Sequence, residues 1–81
     1  MIMQIFSVRD VNVGFNQPYC EVNDDVAIRG FSYAINNSDI MGFAPKDFDL
    51  YRVGDFDTIS GIINPTVPPI LVTHGTEVFQ K

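Results

Sequence analysis

The sequence predicts an α+β fold, with one amphipathic helix packed on a small, mainly antiparallel β-sheet of three to four strands. Three observations predict it. The run from Phe48 to Phe56, set between Pro45 and Gly61, is rich in aromatic and β-favouring residues and reads as a central strand. The run from Asn23 to Ile35 carries a single apolar stripe at helical spacing. Between Phe56 and Ile62, the turn residues Asp57-Thr58-Ile59-Ser60-Gly61 leave room only for an antiparallel return.

Taken in order, Met1 to Val8 reads as a first strand. Ile2, Phe6 and Val8 lie on one face and Met3 and Ile5 on the other, so both faces expect a cover. Val11 to Pro18, with Asn12, Gly14, Asn16 and Pro18, reads as a loop or short hairpin arm, and Tyr19 to Val22 as a short strand. Asn23 is a good N-cap because its side-chain oxygen accepts from backbone N–H groups of the first turn. Asp24 and Asp25 follow where the helix dipole favours negative charge, and Ala27, Ile28, Phe31, Ala34 and Ile35 form the stripe. Gly30 in mid-helix costs about 1 kcal/mol relative to Ala, which points to a close approach by a neighbouring element. Asn36-Asn37-Ser38-Asp39 ends the helix. Ile40 to Pro45 is a connection with Met41 and Phe43 tucked under the sheet, and Pro45-Lys46-Asp47 forms a helical turn. After the central strand and its hairpin turn, Pro65, Pro68 and Pro69 interrupt pairing, since each lacks a backbone donor. Ile70 to Thr73 fits an edge strand. A right-handed crossover through the helix sets the first strand beside the central one, or one removed.

Eighty-one residues make one domain, with a compact part over about 1–64 and a proline-broken segment over 65–81. A chain this short buries roughly 60–65% of its unfolded surface, so self-association adds stability it otherwise lacks. Ten acidic residues oppose five basic ones, and the net charge of −5 argues against binding dominated by phosphate neutralisation. Cys20 is the only cysteine, so no intramolecular disulfide is expected and the compartment is a reducing one. No apolar run reaches the roughly 18–20 residues of a membrane span, and a soluble, cytoplasmic protein is expected.

Chemistry-bearing candidates are few. Strand alternation sets Asp49 and Asp55 on one face with Tyr51 and Val53, where two carboxylates suit a divalent cation or acid–base work. A solvated face with a charged edge is the more ordinary account. His74 is the sole histidine, without a second ligand or nucleophile near it in sequence, and reads as a surface residue of a flexible tail. No catalytic residue, metal site or cofactor is expected. Of the ten aromatics, Phe6, Phe31, Phe48 and Phe56 fit the core, while Phe15, Tyr19, Tyr33 and Tyr51 are read as exposed. Tyr51 beside Arg52 has the parts of a single-strand nucleic-acid surface, a ring for a base and a cation for a phosphate. Tyrosines at a dimer interface account for the same residues.

A set of spaced residues carries a family resemblance. Ser7-Val8-Arg9-Asp10, Gly14-Phe15, Pro18-Tyr19 and Asn23-Asp24 lead to Ala27, Arg29 and Phe31. Phe43-Ala44-Pro45, Asp47-Phe48, Leu50-Tyr51, Gly54 and Phe56-Asp57 complete it. Over about residues 2–64 the chain resembles the small nonstructural protein of gokushoviruses, tailless single-stranded-DNA microviruses of bacteria. The resemblance implies an accessory protein of viral genome replication, in single-stranded DNA synthesis and packaging, in the cytoplasm of the infected bacterium. Some members are called DNA-binding. It implies no active site to transfer. Partners by this reading are a viral replication or capsid-assembly protein, a host replication protein, and a second copy of the chain. The alternative is direct binding of single-stranded DNA through Phe15, Tyr19 and Tyr51, aided by Arg9, Arg29 and Arg52. A small metal-dependent enzyme built on Asp49 and Asp55 ranks third.

Overall fold

In the computed structural model, which describes Met1–Gln80, strand β1 (Ile2–Asp10) is the spine. It pairs on one side with β2 (Gly14–Phe15) and β3 (Tyr19–Glu21), and on the other with β4 (Phe48–Asp57). The last strand, β5 (Ile63–His74), pairs with β4, and every pairing is antiparallel. Among the described residues the sheet thus has five strands, more than the three to four expected, because the Gly14–Phe15 arm pairs as a separate strand. β1 lies directly beside β4 as expected, but antiparallel to it, and the connection through the helix joins β3 to β4, which run parallel on either side of β1.

Helix α1 (Asp24–Asn37) starts where the cap chemistry says. Asn23 Oδ1 accepts from the Val26 N–H at 2.9 Å, and both first-turn carboxylates follow. Its stripe buries Ala27, Phe31 and Ile35 against Phe6, Phe48 and Leu50, which together form the core. Removing each of the larger side chains, Phe6, Phe31, Ile35, Phe48 and Leu50, from water contributes about 1.5–3 kcal/mol. Around Gly30 the space is open: among the described residues no neighbouring element comes within 4 Å of where a Cβ would stand, so the expected close approach is absent there.

Two further short helices correct the single-helix expectation. The stretch read as a connection folds into α2 (Asp39–Phe43), because the Ser38 hydroxyl accepts from the Met41 N–H and restarts the helix. Met41 packs against the core as expected, but Phe43 is 90% exposed and lies under nothing. A 3₁₀ turn follows at Pro45–Asp47, and α3 (Gly75–Val78) closes the fold beyond β5.

The prolines do interrupt pairing, locally. Gly54 pairs with Pro65 and Arg52 with Ile70, leaving Thr66 to Pro69 without partners opposite Val53. On the other side of β4, Ile5 pairs with Gly54 and Phe6 with Arg52, so Val53 is an extra residue there too. This bulge inverts alternation. Asp49 shares the face of Arg9, whereas Asp55 shares the face of Gln4. Phe56, expected in the core, comes instead to the face away from α1, half-buried between Met3 and Ile63.

Candidate functional site

Among the described residues no helix covers the face of the sheet opposite α1. Across it runs a row of four cross-strand neighbours, Phe15, Arg9, Asp49 and His74. The next row is Ser7, Tyr51 and Leu71. Beyond it lie Cys20, Ile5, Gly54 and Pro65, then Met3, Phe56 and Ile63. β-branched and aromatic residues make this region strand, and the absence of a covering element leaves its apolar side chains to water. Phe15 is 48% exposed, Leu71 40% and Ile63 63%. Toward the Ile63 end the face deepens into an apolar groove of about 360 Å³, floored by Ile5 and Val53 between Pro18-Cys20 and Ile63-Pro65.

Specific contacts hold the other end. The rings of Phe15 and Tyr51 meet edge-on, centroids 5.3 Å apart at 71°, a favoured aromatic geometry. The buried Ser7 hydroxyl donates to the Asn16 carbonyl at 2.7 Å and ties the β2–β3 turn to β1. Asp49, 9% exposed, has His74 Nδ1 2.7 Å from its Oδ1. That hydrogen bond raises the His74 pKa above its ordinary value, with the nearby charges of Asp49 and Glu77 adding to it and partial desolvation opposing it.

Of the six sequence candidates for nucleic-acid contact, the structure brings three together: Arg9, Phe15 and Tyr51. Arg9 makes no ion pair among the described residues. The other three lie elsewhere. Arg52 projects on the α1 side, with Nη1 3.9 Å from Asp24 Oδ1. Tyr19 also faces that side, packing on the core with its ring 6.3 Å from Phe6. Burial raises its hydroxyl pKa, with Glu21 adding to it. Arg29 is exposed on the outer surface of α1, two positions from both Ala27 and Phe31 and so turned away from the sheet.

The Asp49–Asp55 convergence required for a metal or acid–base site does not form. The two lie on opposite faces, Asp55 accepts from Asn64 Nδ2 at 3.1 Å, and among the described residues no three His, Cys, Asp or Glu side chains are placed to hold a metal ion. Sequence reasoning missed the His74–Asp49 pair. Counted outward from the Phe56–Ile63 pair, unbroken pairing sets Asp49 against Ile70, and only the residues inserted around the prolines together with the unpaired Val72 bring His74 there.

Among the described residues no helix is long and apolar enough to cross a membrane. Neither curated proteins nor solved structures match the chain. A family model described as Phage ORF5 protein matches residues 3–78, spanning the strand row, the core helix and the capped C-terminal turn alike. This chain therefore belongs to the Phage ORF5 protein family.

Proposed function

We propose that this protein is a non-enzymatic accessory protein of phage genome replication, serving single-stranded DNA synthesis and packaging through protein contacts. The setting is the cytoplasm of a bacterium infected by a gokushovirus-like microvirus. Its partners are the viral replication or capsid-assembly machinery or a host replication protein, and a second copy of the chain covers the open sheet face. Family membership supports the phage setting, and the residue resemblance supports the replication role. The observation that carries the contact reading is the open face itself, lined by Phe15, Tyr51, Leu71, Ile63 and Phe56 with Arg9 as its arginine. Three long strands about 4.8 Å apart, with the short β2 and β3 along the free side of β1, span a plane of about 500 Å². Allowing for side-chain relief, that approaches the roughly 800 Å² per partner of a standard interface. Aromatic side chains are enriched at such interfaces and acidic ones depleted.

Two measurements test this reading. Light scattering on the eluting protein gives twice the chain mass, and Leu71→Asp or Ile63→Asp returns it to the monomer mass. In infected cells, a phage lacking the gene accumulates duplex replicative DNA but loses single-stranded genomes. An undiminished single-strand yield would sink the replication role.

The second reading, direct single-stranded-DNA binding, draws its support from Arg9 beside Phe15 and Tyr51 on one face. With one cation there, the salt dependence of binding corresponds to about one neutralised phosphate. Anisotropy of a labelled strand about 30 nucleotides long, which covers several sites, then rises at low salt and falls with Tyr51→Ala. No rise at low salt removes this reading.

A further inference from the structure

Beside Phe48, at the end of β1, α2 and the β1–β2 turn flank a second groove, of about 450 Å³. One wall is apolar. Ile40 and Phe43, one helical turn apart, are 76% and 90% exposed, and Phe43 is the most exposed large apolar side chain among the described residues. The rim is acidic. Asp10 comes from the end of β1, Asp39 from the first turn of α2, and Asp47 from the 3₁₀ turn. None of the three has a cationic partner among the described residues. Asp10 Oδ1 accepts from the Asn12 N–H at 2.9 Å and Asp47 Oδ2 from Asn12 Nδ2 at 3.5 Å, which orients two carboxylates without neutralising them.

We propose that this groove docks a basic segment of a partner protein, anchored by an apolar side chain against Phe43 and Ile40. The proposal rests on the protein-contact reading above and names the chemistry of one partner. Charge complementarity selects the occupant. Nucleic acid and anionic lipid are repelled by three unpaired carboxylates. A second copy is a poor fit, because the chain's net charge is −5 and its five basic residues form no run. A Lys- or Arg-rich segment meets the rim, and its apolar residue covers the Phe43 ring that is otherwise left in water. The groove volume falls within the usual range of about 300–1,000 Å³ for binding clefts.

The test uses the full chain and two fluorescently labelled synthetic peptides. One alternates Lys and Leu around a single Trp, and the other has Glu in place of Lys. The basic peptide binds saturably, and its binding shifts the amide resonances of Asn12, Ile40 and Phe43. Phe43→Ala weakens it by about tenfold or more, as loss of an aromatic anchor does. The double variant Asp39→Asn/Asp47→Asn weakens it and flattens its salt dependence. Both variants change exposed or rim side chains, and thermal melts verify that they fold. Equal binding of the acidic peptide, shifts confined to the open sheet face, or indifference to Phe43→Ala overturns the proposal. If Phe43→Ala instead dissolves a dimer, the occupant is a second copy and the proposal falls. Leu71→Asp leaves peptide binding unchanged, so loss of the sheet-face interface and loss of this groove are read separately.

Discussion

His74 Nδ1 and Asp49 Oδ1 are 2.7 Å apart, and the pair links the end of β5 to the middle of the sheet. Because the folded state raises the His74 pKa, the pair stabilises most when the ring is protonated in both states. Its contribution is full below the unfolded value of about 6.5 and is lost as pH rises through the higher folded value. The melting-temperature gap between the native protein and His74→Gln is therefore wider at about pH 5.5, below the unfolded value, than at about pH 8.5. Equal gaps at both would show that the contact carries no linked proton. Two glycines separate on the same physical grounds. At Gly30 a Cβ meets open space in an exposed helical turn, so Gly30→Ala stabilises by about 1 kcal/mol in urea unfolding. At Gly54 a Cβ would stand 2.5 Å from the Asn64 carbonyl oxygen, so Gly54→Ala forces the β4–β5 backbones apart and destabilises.

At the scale of elements, Asn36 does more than end a helix. Its Nδ2 donates to the Ser32 carbonyl at 2.8 Å and to the Val78 carbonyl at 3.0 Å, and its Oδ1 accepts from the Gln80 N–H at 2.8 Å. One side chain thus fastens α3 to α1. Asn36→Ala leaves backbone groups unpaired and costs about 1–3 kcal/mol, read as faster amide exchange over residues 75–80 while α1 keeps its protection. Whole-chain unfolding without local loosening would contradict this. α1 itself was legible in the sequence, since an N-cap, two first-turn acids and a stripe at i, i+4, i+8 are all local signals. The β4–β5 register was not. Its offset depends on how Thr66 to Pro69 and Val72 leave the ladder, and no spacing rule states that.

For the molecule as a whole, an α+β domain of this size with one sheet face uncovered is expected to be stabilised by mass action. Its melting temperature rises with protein concentration, and Ile63→Asp abolishes that rise. Concentration-independent melting would argue that the open face stays solvated. The sequence by itself determined the fold class, the helix and its cap, the main hairpin, and the core residues Phe6, Phe31 and Phe48, because propensity, periodicity and turn chemistry act within short stretches of chain. It also supplied Arg9, Phe15 and Tyr51 as candidates. Only the tertiary structure decided that these three meet, that Arg52 and Tyr19 turn to the helix side, and that Arg29 faces away. It alone separated Asp49 from Asp55 and joined Asp49 to His74. The physical reason is that long-range pairing sets these relations: the bulge at Val53 inverts the face of Asp55 relative to Asp49, the residues leaving the ladder in β5 bring His74 to Asp49, and partner strands far along the chain fix both.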